Sequence, residues 1–223
     1  MSEVWCLADP HVGHRLVSGL RGFDTPEGHD AELAERWDGR VGVEDEVWVL
    51  GDISVGGTRA QMNALEWMSR RPGVKHLVAG NHDGCHPMRS RAHHWQRIYL
   101  EVFASVQQSA VRKIDGHRVL LSHFPFHGAA DGDHTAENRF EEWRLPATGD
   151  NAGRWLLHGH THSSVRIRGR MIHVGLDAHE LAPVPLEWVR RVIAGTENGS
   201  GEGVGNPVAG PVGRSLGSSC GGA

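Results

Sequence analysis

The chain has 223 residues, is 39% hydrophobic and 22% charged, and carries a formal net charge of −4, which allows a buried core and excludes wholesale disorder. No apolar run approaches the roughly 20 residues of a membrane helix and Met1, Ser2 and Glu3 open no leader segment, so a cytoplasmic protein without membrane partners is expected. Cys6, Cys85 and Cys220 stand apart with no CxxC spacing, which excludes a disulfide framework and a thiolate zinc site. The acidic balance also argues against stable binding of duplex nucleic acid.

In chain order, Val4 to Ala8 is a short apolar run that predicts a buried strand. A helix is predicted from Pro26 to Arg40, with Thr25 as N-cap, Pro26 at the first helical position, and Leu33 and Trp37 one turn apart. Val47 to Leu50 predicts a second strand. A second helix, Arg59 to Arg70, is expected to start with a capping box of Thr58 and Gln61, to bury a face beginning with Met62 and Leu65, and to stop at Pro72 and Gly73. Three further strands are predicted at His76 to Ala79, Val119 to Leu121 and Trp155 to Leu157. Ser164 to Ile167 and Arg170 to Val174 flank Arg168 and Gly169 as a hairpin, and Leu186 to Ala194 forms a last amphipathic segment. Strands alternating with helices indicate an α/β domain over residues 1–194. From residue 195 to 223 glycine, serine and proline dominate, which predicts a disordered tail.

Of the 17 histidines, five fall with other polar residues at the ends of these strands. Asp9 and His11 follow the first, Gly51 and Asp52 the second, and Gly80, Asn81, His82 and Asp83 the third. His123 ends the fourth, and Gly159, His160, Thr161 and His162 follow the fifth. Carboxyl ends of strands in open α/β sheets are where ligands bind, so these groups are expected to converge. Asp9 with His11, and His160 with His162, alternate by two and can each present a pair of donors to one cation.

That order, DxH, GD, GNHD, H and GHxH, resembles the signature of the calcineurin-like metallophosphoesterase superfamily, in particular its small bacterial and bacteriophage members. The resemblance runs to about Val192. It implies a four-layer α/β/β/α sandwich whose loops hold two metal ions. It further implies that Asp9, His11 and His162 hold one metal, that Asn81, His123 and His160 hold the other, and that Asp52 bridges them. His82 is then the catalytic acid beside the leaving group, with Asp83 orienting its ring.

Such a centre suits hydrolysis of phosphate esters. Two cations about 3.5–4 Å apart clamp the phosphoryl oxygens and lower the pKa of bound water, so that hydroxide attacks. An imidazole that titrates near neutral pH protonates the departing alkoxide. Nitrogen and oxygen donors without thiolate accept manganese, iron, zinc, cobalt or nickel, and the resemblance, more than the donor chemistry, implies manganese first or an iron–manganese pair. The expected activity is hydrolysis of small phosphodiesters, 2′,3′- or 3′,5′-cyclic nucleotides above others. A phosphomonoesterase, such as a protein or nucleotide phosphatase, is the alternative, and a non-catalytic scaffold a distant one. His14 and His127 are the candidates for touching substrate, followed by Arg21 and Arg139.

Overall fold

The structure is a computed structural model that describes residues 2–129 and 140–197. Its first sheet runs β10-β1-β2-β3-β4, formed by Val184–Pro185, Val4–Leu7, Glu46–Val49, Val74–Val78 and Ser105–Gln107. Strands β1 to β4 are parallel, and β10 closes the edge antiparallel to β1 through Trp5↔Pro185 and Cys6↔Val184. The second sheet runs β5-β6-β7-β9-β8, formed by Ser109–Ile114, His117–Ser122, Leu156–His158, Met171–His173 and Ile167–Arg168. Its central strands β6, β7 and β9 are parallel, with antiparallel β5 and β8 at the edges.

The two sheets face one another. Cys6, Ala8, Leu50 and Val78 of the first meet Val119, Leu121, Leu157, Ile172 and Val174 of the second in one buried cluster. Helix α5 (Leu186–Glu197) adds Leu186, Val189, Val192 and Ile193 to it. On the outer face of the first sheet, Leu7, Val47, Val49 and Leu77 pack against three helices: α2 (Pro26–Asp38), α3 (Thr58–Ser69) and α4 (Ala92–Tyr99). Leu120, Phe126 and Leu156 are buried on the second sheet with Leu145 and Met171 against them. This is the expected α/β architecture of two sheets flanked by helices.

Thr25 caps α2 as expected, its hydroxyl accepting the Gly28 N–H at 3.1 Å. At α3 the capping box does not form. Gly57 is the cap residue, which moves Thr58 into the helix and turns Gln61 inward. The buried face is therefore Gln61, Ala64, Leu65 and Met68, while Met62 is exposed. The hairpin pairs Ile167 with Ile172 and Arg168 with Met171, so its two-residue turn is Gly169–Arg170, one step later than expected. Gly169 has φ +59°, which a tight turn of this kind requires. Among the described α-helices and strands, five had no counterpart in the sequence reading: α1 (Arg15–Leu20), the helix α4, and the edge strands β4, β5 and β10. Helix α5 continues to Glu197, so the first three residues of the expected tail are helical; residues 198–223 and Arg139 lie outside the described residues.

Candidate metal centre

Parallel strands put their carboxyl ends on one side, and this is what assembles the site. The loop after β1 brings Asp9 and His11, that after β2 brings Asp52, that after β3 brings Asn81 to Asp83, the end of β6 brings His123, and the loop after β7 brings His160 and His162. Main-chain bonds lock the first two loops together: Asp9 N–H donates to Gly51 O and His11 N–H to Asp52 O, both at 3.1 Å. The loops approach so closely that a Cβ on Gly51 would lie 2.6 Å from both Gly80 N and His123 Nδ1. Asp9, His11, Asp52, His160 and His162 all have φ between +45° and +69°, a left-handed backbone that is unfavourable for these residues and is found where surrounding contacts fix a functional geometry.

Two groups of donors result among the described residues, Asp9 with His11 and His162, and Asp52 with His123 and His160. In the first, His11 Nε2 and His162 Nε2 face one another at 3.2 Å. In the second, His123 Nε2 lies 3.1 Å from Asn81 Oδ1, 3.2 Å from His160 Nδ1 and 3.4 Å from Asp52 Oδ2. Asp52 stands between the groups, with Oδ2 3.9 Å from His11 Nε2 and Oδ1 accepting the His82 N–H at 2.7 Å. All seven sequence-derived ligands thus gather in one place.

The donor chemistry fits cations. His123 directs Nδ1 to the Leu50 carbonyl at 2.8 Å and His162 directs Nδ1 to Asp177 Oδ2 at 2.9 Å, which puts the N–H there and leaves both Nε2 lone pairs facing the cluster. His123 Nε2 faces the Asn81 and Asp52 oxygens and His162 Nε2 faces His11 Nε2. A cation on each side would bring these two sets of donors together, taking the place of the proton that His123 otherwise carries. Asp9 is fully buried, and its Oδ1 has no hydrogen-bond donor among the described residues. Burial opposes charge on His123, but Asp52 outweighs it and pushes this imidazole up to about 9. Burial likewise opposes the Asp52 carboxylate, yet His123, His11 and His82 hold it well below the usual range. Burial moves Asp9 in the other direction, upward.

Asp177 is a site residue that the sequence reading missed. It sits past β9, the sixth strand to end at the cluster, in a segment without a motif. Arg21 clamps it, with Nε donating to Oδ1 at 2.8 Å and an Nη to Oδ2 at 2.7 Å, and also donates to Asp9 O at 2.8 Å. The Arg21 side chain is 4% exposed. The expectation that it reaches substrate is therefore corrected: its donors are spent on holding the β1 loop to Asp177. This ion pair holds Asp177 well below the ordinary carboxylate range against the opposing effect of burial, so a full charge faces His162.

Asp83 also departs from expectation. Its buried carboxylate accepts the backbone N–H groups of Gly80 at 2.8 Å, Asp52 at 2.9 Å and Ile53 at 3.1 Å, and does not orient the His82 ring. Those amides close the loops after β2 and β3, and a buried carboxylate needs such donors. Burial and the Asp52 charge push Asp83 up to about 6. The His82 ring is held instead by the Val55 carbonyl, 2.9 Å from Nδ1, with Nε2 3.9 Å from Asp52 Oδ2. His14 packs on His11 with ring centroids 5.2 Å apart and so borders the centre. His127 does not join it: the ring is 60% exposed and bonded to Glu141 at 3.1 Å. Phe124 walls the second group, 4.9 Å from both His123 and His160 rings.

Residues 7–175 match the calcineurin-like phosphoesterase superfamily domain. The chain belongs to that superfamily. A calcineurin-like phosphoesterase typically binds two divalent metal ions, in keeping with the two donor groups that share Asp52 here. The chain is 48% identical over 209 residues to the gene 66 protein of Mycobacterium phage D29, covering 89% of this chain and 100% of that one. It is 21% identical over 202 residues to an uncharacterised protein of Methanocaldococcus jannaschii, covering 86% and 92%. A solved protein of unknown function from Aquifex aeolicus shares the fold with a TM-score of 0.61 at 17% identity, over 86% of this chain and 100% of that one. The superfamily makes the chain a metal-dependent hydrolase of phosphoester bonds. None of the described helices is long and apolar enough to cross a membrane.

Proposed function

We propose that this calcineurin-like phosphoesterase is a phosphodiesterase acting on small substrates, cyclic nucleotides above others. The observation that carries the reading is the position of Asp52 between two donor groups, with His82 beside it and outside both. When bound, two cations would activate the nucleophile and clamp the phosphoryl oxygens. Asp9 and Asp52 are the only carboxylates among the seven ligands, so they cancel half the charge of two divalent cations. The surplus positive charge would attract an anionic phosphoester. His82 keeps its Nδ1 proton on Val55 O, so Nε2 is the atom that delivers a proton to the departing alkoxide. Manganese is the metal we assign first, and an iron–manganese pair second, within a donor set that also accepts zinc, cobalt or nickel.

The test is a substrate screen with manganese-loaded protein. Bis-p-nitrophenyl phosphate and 2′,3′- or 3′,5′-cyclic nucleotides should be hydrolysed faster than p-nitrophenyl phosphate and faster than duplex DNA. A monoester rate above the diester rate would overturn the assignment, and elemental analysis after reloading would settle the metal.

A further inference from the structure

Beside His82 the surface opens into a cavity of about 480 Å³, large enough for a nucleotide-sized ligand. Its walls include the His82 ring, the Thr58 end of α3, Arg89, Arg91 and Trp95, and no Asp or Glu lines it among the described residues. The wall is thus locally basic on a chain of net charge −4. The bias has a local source: from Gly84 to Leu100 the sequence holds Arg89, Arg91 and Arg97 and no acidic residue.

The floor is well fixed. Gln61 Oε1 accepts both the Gly84 N–H at 2.6 Å and the Tyr99 hydroxyl at 2.8 Å. Trp95 rests on the Gly84 backbone, so closely that a Cβ there would lie 2.9 Å from the ring, and it meets the Tyr99 ring edge-on at 6.2 Å. Arg89 donates to the carbonyl of Asn81, which ties the basic wall to the metal centre. A half-buried indole next to two guanidinium groups provides a stacking surface for a base and forked donors for a phosphate.

From this juxtaposition we infer that the cavity receives the nucleoside whose alkoxide departs, the ribose and base of the same molecule in a cyclic nucleotide, and that this nucleoside bears a second phosphate. The inference rests on the proposed phosphodiesterase reading in one respect: His82 marks the leaving side. The base stacks on Trp95, and the second phosphate pairs with Arg91 and the free edge of Arg89.

Calorimetric titration of the manganese-loaded protein tests this without turnover. Adenosine 3′,5′-bisphosphate should bind about tenfold tighter than adenosine 3′- or 5′-monophosphate, and the gap should narrow at high salt. Arg91→Glu should abolish the gap, Trp95→Ala should weaken all three adenosine compounds together, and Arg191→Glu on α5 should preserve the gap. Equal affinity of bisphosphate and monophosphates for the wild type, or an undiminished gap in Arg91→Glu, would overturn the inference. Failure to hydrolyse bis-p-nitrophenyl phosphate would instead overturn the phosphodiesterase reading and leave the binding result standing.

Discussion

His162 and Asp177 are joined at 2.9 Å between the imidazole Nδ1 and Oδ2, and Arg21 holds the far side of the same carboxylate. The carboxylate fixes the ring tautomer and raises the basicity of Nε2, the atom turned to His11. Asp177→Asn should therefore weaken metal binding about 10–100-fold while the fold persists. Competition against a chelator of known affinity measures this, and unchanged affinity would show that Asp177 does no more than anchor Arg21.

His82 and Asp52 separate the two halves of the chemistry. His82→Ala should retain metal but lose about 10²–10⁴-fold in kcat on substrates with an alkoxide leaving group, because the general acid is gone. The loss should be smaller on bis-p-nitrophenyl phosphate, whose leaving phenolate needs little protonation. Asp52→Ala should lose metal and turnover together. Elemental analysis alongside kinetics distinguishes the two variants.

Asp83→Ala removes the shared acceptor of three buried backbone N–H groups. Each donor left unmet costs about 1–3 kcal/mol, so the variant should be destabilised by about 3 kcal/mol or more, with weaker metal binding as the loops after β2 and β3 part. Denaturant unfolding reads this out. A variant of normal stability with only a lowered kcat would restore the role of ring orientation to Asp83.

Protons and metal compete for His123. Its imidazole is pushed up to about 9 by Asp52 against the effect of burial, so below that pH metal uptake must displace a proton. Affinity should fall as the pH is lowered from 9, and titrations in buffers of different ionisation enthalpy should show proton release at pH 7. The sign for stability is the reverse. A folded value above the unfolded value of about 6.5 stabilises the chelator-treated protein below pH 6.5, and this support is lost as pH rises through about 9. Its melting temperature should therefore drop across that window, and metal-loaded protein should not show the drop.

The sequence alone determined the strand ends and what they carry. Short apolar runs at β1, β2, β3, β6 and β7 mark buried strands, and the seven candidate ligands and His82 follow them at spacings of a few residues, so local pattern was sufficient to place them at strand ends. Elements with weaker local signals were missed. Helix α4 begins without a capping side chain, and β4 and β5 are half-buried edge strands whose place is set by β3 and β6.

Only the tertiary structure decided how the ligands are supported. Asp177 lies 15 residues beyond His162, and Arg21 lies 156 residues before Asp177, so no spacing rule relates them. Asp83 looked like a partner of His82 because the two are adjacent in sequence. In the fold its carboxylate turns inward, where the loops after β2 and β3 need an acceptor, and a carbonyl 27 residues away holds the His82 ring. Ligand identity is written locally because each strand end supplies its own donors. The orientation, charge and protonation of those donors depend on groups that only the packing of two sheets brings within hydrogen-bonding distance.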